Sequence, residues 1–194
     1  STKAELGKAC RRVLAGSGAC FVGSHPMAGS EESGMESAQS DLYDGATVII
    51  TPGGCEAAAV ARVTRFWKAL GTQVLLIRPE EHDRIIAATS HVPHLVAAML
   101  VSLVAGHGAS AWRACGPGFR DSTRVAAGAE AIWIDIIKTN CSAIGRELDR
   151  FQKVFCRVRT MVRRGDFPGA RAFLAKSGQS RRALNRAWGR GTGS

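Results

Sequence analysis

No two cysteines stand at C-x-x-C spacing in this chain, and none of the six, at 10, 20, 55, 115, 141 and 156, lies at finger spacing from a histidine. That pattern excludes a zinc finger, and no metal site is expected. Scattered single cysteines in 194 residues fit a reducing compartment, where a thiol serves as a small buried apolar group. No signal-like segment opens the sequence. The longest apolar run, LVAAMLVSLVA at 95–105, is about half the length of a bilayer span. It is expected to be a buried core helix of a soluble, cytoplasmic protein with no membrane partner. Internal repeats are absent, and low complexity is confined to the Gly/Ser-ended tail. A phosphate-cradling glycine turn is missing too. GSGACF at 16–21 has Phe21 where the third glycine belongs and precedes a strand instead of following one, while GPGF at 116–119 lies between helices.

What is present describes a folded, basic protein. The hydrophobic fraction is 45% and the charged fraction 22%, ordinary globular values that exclude disorder as the main state. The net charge of +10 is concentrated in the last third, in RVRTMVRR and SRRALNRAWGR. With only Trp188 as an aromatic partner and no nucleic-acid module, this reads as a solvated basic tail, and no nucleic-acid partner is expected. A positive field also suits an anionic substrate.

The chain has two textures. Up to residue 79, helix and strand signals alternate. Thr2-x-x-Glu5 is a capping-box pattern opening a helix with apolar Leu6, Ala9 or Cys10, and Val13. ACFVG (19–23), ATVIITP (46–52) and TQVLLIRP (72–79) predict buried strands, and Val60, Val63, Trp67 and Leu70 predict a helix stopping at Gly71. From residue 80 the pattern is helical. Ser90 and Pro93 are expected to start a helix that is apolar on every face and must be surrounded. Ile144, Leu148, Phe151, Phe155, Val158 and Val162 repeat at seam spacing, for packing within the chain or for a subunit interface.

Four groups bear chemistry: Ser1 with Lys3; His25-Pro26 with MAGSEESG; SHVPH, with His91 and His94; and GPGFRDSTR, with Asp121 and Arg124. Singly, each has a plain structural explanation, such as a helix start, an N-cap or a solvated arginine. In this order they resemble the prephenate dehydrogenase family, which includes the arogenate dehydrogenases. HPMAGSEESG matches the family's His-Pro-x-Ala-Gly-(Ser/Thr)-Glu-x-Ser-Gly loop, SHVPH its Ser-His-x-Pro-His helix start, and GFRDSTR its Gly-Phe-(Lys/Arg)-Asp-x-Thr-Arg segment. STK looks like the end of the family's Asp-x-Gly-Ser-x-Lys segment, and the likeness spans residues 1 to 165.

The resemblance implies the C-terminal part of a Rossmann-like α/β nucleotide-binding domain (1–79), followed by an all-α domain (80–194) that binds substrate and forms a homodimer. It implies NAD- or NADP-dependent oxidative decarboxylation of prephenate in tyrosine biosynthesis, with arogenate as the rival substrate. His25 is then the catalytic hydrogen-bond acceptor, with Ser1 beside the ring hydroxyl and the nicotinamide. Arg124 grips a carboxylate in two parallel hydrogen bonds, His91, His94, Asp121 and Trp133 form the pocket wall, and Glu31 stands at its mouth. The chain departs from the family in lacking the dinucleotide turn, so it is expected to be a piece of a longer enzyme, inactive alone. It also departs at Gly128-Ala129-Glu130, where the family writes Ser-Asp-Pro. A non-catalytic dimerisation or regulatory module is the other reading.

Overall fold

The β-branched run TVIIT favours extended backbone and forms the central strand of a three-stranded sheet. The structure, a computed structural model of the chain, describes residues 1–29, 36 and 38–189, with side chains as far as Arg186. Helix α1 (Ala4–Val13) and strands β1 (Gly23–Pro26) and β2 (Thr47–Thr51) are followed by α2 (Ala57–Ala69) and β3 (Gln73–Leu76). Beyond them come only helices: α3 (Pro79–Ile86), α4 (Val92–Ala105), α5 (Ala109–Arg113), α6 (Pro117–Thr123), α7 (Glu130–Arg164) and α8 (Phe167–Gly189). An α/β part thus precedes an all-helical part. The chain divides into two compact units, Ser1–Glu147 and Leu148–Ser194.

β2 runs parallel to β3, with Val48 opposite Val74, and antiparallel to β1, with Gly23 opposite Thr51 and His25 opposite Ile49. The apolar run at 19–22, expected as strand, is not one; β1 begins at Gly23 and carries His25 within it. β2 ends at Thr51, beyond which Gly53 (φ +63°) and Gly54 (φ +86°) leave the extended conformation, so pairing with β1 stops there. β3 was expected to be buried, yet Leu75 and Leu76 are exposed on this edge strand. The core of the unit gathers Val48, Ile49 and Ile50 of β2, Ile86 of α3, Val92 and Ala97 of α4, and Ile136 and Ile144 of α7.

α1 does not use the capping box that its sequence offers. Thr2 Oγ1 donates to Thr139 Oγ1 at 3.0 Å, and Glu5 pairs with Lys8. The first N–H groups go instead to a carboxylate 80 residues away: Lys3 N–H donates to Asp83 Oδ1 (2.8 Å) and Ala4 N–H to Asp83 Oδ2 (2.9 Å). An ionised acceptor serves helix donors better than a hydroxyl does.

Ser90 was expected to cap a new helix. Instead α3 and α4 are joined by a π-helical turn, Ala87–His91, so that Ser90 lies inside one continuous helix from Pro79 to Ala105. Pro93 has no N–H for an α-helical bond, and the wider turn accommodates that missing donor. By length and composition alone this helix could cross a membrane. It carries buried His82, Asp83, His91 and His94, and α3 packs on α1 and β2, which is how a core helix is built. Its far end is not surrounded as expected: Met99, Leu100 and Leu103 are exposed.

α7 bends at Asn140, whose φ of −131° and ψ of 23° are not helical. Of its predicted seam, Ile144 is buried, whereas Phe151, Phe155 and Val162 are exposed, the last by 72%. Leu148 and Val158 are half-buried, so packing within the described chain uses that stripe only in part. In the second unit, Gly165 (φ +63°) ends α7, with Asp166 N–H donating to Met161 O. Asp166 Oδ1 then caps α8 by accepting from Gly169 N–H at 2.9 Å.

Candidate active site

The strand register fixes His25 opposite Ile49, half-buried, with Nδ1 2.8 Å from His82 Nε2 on α3. His82 is fully buried, and its Nδ1 lies 2.7 Å from Asp83 Oδ1. The same carboxylate receives the two N–H groups that start α1, which tethers the Ser1–Lys3 segment to α3. From the bend of α7, Asn140 Nδ2 donates to the Asp83 carbonyl at 2.8 Å and meets His91 Nδ1 at 3.2 Å. Buried Lys3 donates from Nζ to the Ser1 carbonyl at 3.3 Å.

The electrostatics follow from this crowding. Burial first, then the Lys3 charge, lowers His25 to about 3, so its imidazole is neutral over the physiological range. Burial lowers His91 to about 4 against the opposing pull of Asp83. Burial works to raise Asp83, but its hydrogen bonds from His82, Ala4 and Lys3 outweigh that and hold it below the ordinary carboxylate value. Burial lowers Lys3 as well, with Asp83 opposing.

Beside this cluster lies a cavity of about 580 Å³, lined by Ser1, Ala28, Gly29, Ser90, His94, Arg124, Gly128, Ile132 and Trp133 among others. His94 and Trp133 stack with ring centroids 3.4 Å apart and an interplanar angle of 11°. A Cβ on Gly128 would stand 2.6 Å from Trp133 Nε1 and 3.3 Å from His94 Cε1, so a glycine here gives the stack its room. Burial lowers His94, countered by its hydrogen bond to the Val125 backbone. Arg124 is exposed, at the start of the 3₁₀ turn Arg124–Ala127 that follows α6.

Of the residues singled out in the sequence, Ser1, His94, Arg124 and Trp133 meet in this cavity. His25 is not among its lining residues; Ala28 and Gly29, just beyond the end of β1, are. His91 does not line it either. It is 1% exposed and sits behind Trp133, edge-on at 6.1 Å. Asp121, expected in the wall, is exposed on α6 and absent from the lining. Thr123 faces inward there, and two residues along a helix is about 200° of rotation, so Asp121 points the other way. Glu31 lies outside the described residues. His82, Asp83 and Asn140 were not anticipated. The signal for the first two was helical periodicity: His82 and Asp83 precede buried Ile86 by four and three positions, which puts them on its face.

Comparison with known proteins adds the following. Residues 1–76 match the family model "Prephenate dehydrogenase, nucleotide-binding domain", and residues 78–176 match "Prephenate dehydrogenase, dimerization domain". A cyclohexadienyl dehydrogenase of Zymomonas mobilis is 33% identical over 84% of this chain and 58% of its own length. A Bacillus subtilis prephenate dehydrogenase is 36% identical over 75% of this chain and 40% of its own length. The chain therefore spans about half the length of these relatives. The crystal structure of prephenate dehydrogenase from Aquifex aeolicus, in complex with hydroxyphenyl propionate and NAD+, superimposes with a TM-score of 0.87 at 30% identity, covering 95% of this chain and 65% of that one. Synechocystis arogenate dehydrogenase, at 24% identity and a TM-score of 0.81 over 95% of this chain and 67% of its own, shares the fold. With both family models matching in order along most of its length, this chain belongs to the prephenate dehydrogenase family.

Proposed function

We propose that this chain carries the substrate-binding part of a dehydrogenase that converts prephenate to 4-hydroxyphenylpyruvate and carbon dioxide in tyrosine biosynthesis. One observation carries the reading. All four motif groups, distant in sequence, contribute to a single cavity: Ser1 from the first, Ala28 and Gly29 from the second, Ser90 and His94 from the third, and Arg124 from the fourth.

In this reading Arg124 holds a substrate carboxylate through paired N–H donors. The Trp133–His94 stack forms an apolar floor for the ring, and neutral His25 accepts a hydrogen bond from the ring hydroxyl. When bound, a nicotinamide cofactor takes the hydride from the carbon bearing that hydroxyl. Loss of carbon dioxide returns an electron pair to the ring, which becomes aromatic, and the proton shared with His25 remains on the phenol oxygen. The residues present suit the nicotinamide end of such a cofactor, where Ser1 and Gly29 line open cavity. The G-x-G-x-x-G turn that cradles a dinucleotide pyrophosphate is absent from the sequence; the glycine pair that links a strand to a helix, Gly53-Gly54 between β2 and α2, lacks that spacing.

The reading also includes a homodimer in the cytoplasm. Exposed Met99, Leu100 and Leu103 on α4 and Phe155 and Val162 on α7 support the first, and six free cysteines support the second. The test joins this chain to an upstream dinucleotide-binding half and follows reduced nicotinamide with prephenate and with arogenate, each with NAD+ and NADP+. Turnover of prephenate is expected, and Arg124→Lys is expected to raise KM more than it lowers kcat. A folded, cofactor-binding protein inactive on both substrates would overturn the proposal.

A further inference from the structure

The relay from His25 through His82 to Asp83 dictates where each ring proton sits. We propose that His82 and Asp83 are positioning residues that hold His25 in the tautomer with the proton on Nδ1, leaving Nε2 to accept the ring hydroxyl. The proposal rests on the dehydrogenase reading for its use, and on geometry alone for its existence.

A carboxylate can only accept. Asp83 Oδ1, 2.7 Å from His82 Nδ1, therefore requires the His82 proton at Nδ1. With that as the ring's one proton, His82 Nε2 is a lone pair, and it lies 2.8 Å from His25 Nδ1. Two lone pairs do not face each other at that distance, so the proton between the rings belongs to His25 Nδ1. A neutral imidazole has one ring proton, and Nε2 of His25 is left as an acceptor with no partner among the described residues. An isolated histidine prefers the opposite tautomer, which would present the substrate hydroxyl with an N–H. The anchor is rigid. Asp83 is held by Lys3 N–H and Ala4 N–H as well, its carbonyl by Asn140, and His82 is fully enclosed. Histidines that ligate metals are oriented by outer partners in the same way.

The tautomers can be read directly. In the chain labelled with ¹⁵N-histidine, long-range proton–nitrogen correlation spectra are expected to show His25 and His82 both protonated at Nδ1 and bare at Nε2. A His25 ring protonated at Nε2 refutes the relay without using any variant. His82→Asn removes the acceptor and is expected to move His25 to the Nε2–H form. His82→Gln restores an oxygen near the former Nε2 and is expected to return it; a merely structural role would give both variants the same result. In the enzyme completed with its upstream half, His82→Asn is expected to lower kcat ~10–100-fold, with KM changed less than about twofold, and His82→Gln is expected to recover most of the loss. Equal kcat losses in the two variants would sink the proposal. Absent dehydrogenase activity would fault the functional reading, and the tautomer spectrum would still decide the relay. An Nε2–H His25 in an active enzyme would fault the relay alone.

Discussion

Asn140 offers a direct measure of how much the polar cluster contributes to stability. Its amide nitrogen faces two buried acceptors, the Asp83 carbonyl at 2.8 Å and His91 Nδ1 at 3.2 Å, and its two hydrogens serve one each. Because a carbonyl cannot donate, the amide is fixed with its nitrogen toward both. Asn140→Ala leaves His91 Nδ1 enclosed without a donor, an orphan that costs about 1–3 kcal/mol, and removes the side-chain donor from the Asp83 carbonyl, which keeps a backbone N–H at the end of α3. Alanine returns at most ~0.7 kcal/mol of helix propensity at the bend. With one orphan near the middle of its range, the loss is about 1–2 kcal/mol. With a urea slope of about 1–3 kcal/mol/M, the midpoint falls by roughly 1 M. The assay is equilibrium unfolding in urea at pH 7, followed by tryptophan fluorescence and circular dichroism. Asn140→Asp puts a carboxylate against the Asp83 carbonyl oxygen and is expected to lose at least as much, and less of it in acid. An Asn140→Ala midpoint within ~0.5 kcal/mol of the parent, converted through the same slope, would show that α7 and α3 are not joined through this amide.

Three further outcomes are expected. Gly128→Ser restores the residue that the family writes there and drives a Cβ into the space of Trp133 Nε1, 2.6 Å away; it should displace the indole from His94, change the fluorescence and cost about 1–3 kcal/mol, and unchanged emission and stability would refute the close approach. His25 and His91, lowered from 6.5 to about 3 and about 4, stay neutral in the fold while the unfolded chain takes up protons below 6.5; stability therefore falls as pH drops from 6.5 through 4 toward 3, and a urea midpoint that is flat or rises from pH 7 to 4.5 would contradict this. Leu103 is 62% exposed on the stripe it shares with Met99 and Leu100, so Leu103→Glu should turn a sedimenting dimer into a monomer at micromolar concentration; a parent chain that is itself monomeric would remove that face from the interface.

Local patterns were legible in the sequence where one residue's neighbours decide its state. TVIIT made a strand, the Val60–Trp67 stripe made a helix ending at Gly71, and GFRDSTR brought Arg124 to the cavity edge. What escaped was decided by partners far along the chain. β1 begins where it does because its partner strand turns away after Thr51, and the capping box of α1 is set aside because Asp83 supplies a stronger acceptor. Ser90 looked like a helix start because a proline followed it; the π-helical turn lets the helix continue past that proline. EEHDRII carries no motif by itself, yet its His82 and Asp83 link the catalytic candidate to the first helix. Asp121 shows the converse: it stands in a family motif, and the rotation of α6 turns it to solvent.

A histidine lowered to about 3 is a poor base toward an ordinary alcohol, which bears on the choice of mechanism. General-base catalysis favours a value near the working pH when a proton must be carried away. No net proton leaves in the proposed reaction: the dianion, a cationic cofactor and the products balance with the hydroxyl proton still on oxygen. The hydroxyl becomes strongly acidic only while hydride departs, and at that moment a weak acceptor already in place is sufficient. A more basic His25 would be partly protonated near neutrality, and its N–H would then oppose the departing hydride's effect on the same oxygen. Burial and Lys3 keep the ring neutral, and the His82–Asp83 relay turns its lone pair outward. In the proposed reaction the two devices act together: lowering the affinity for a proton prevents a cation, and fixing the tautomer prevents a donor, so that only an acceptor would face the alcohol.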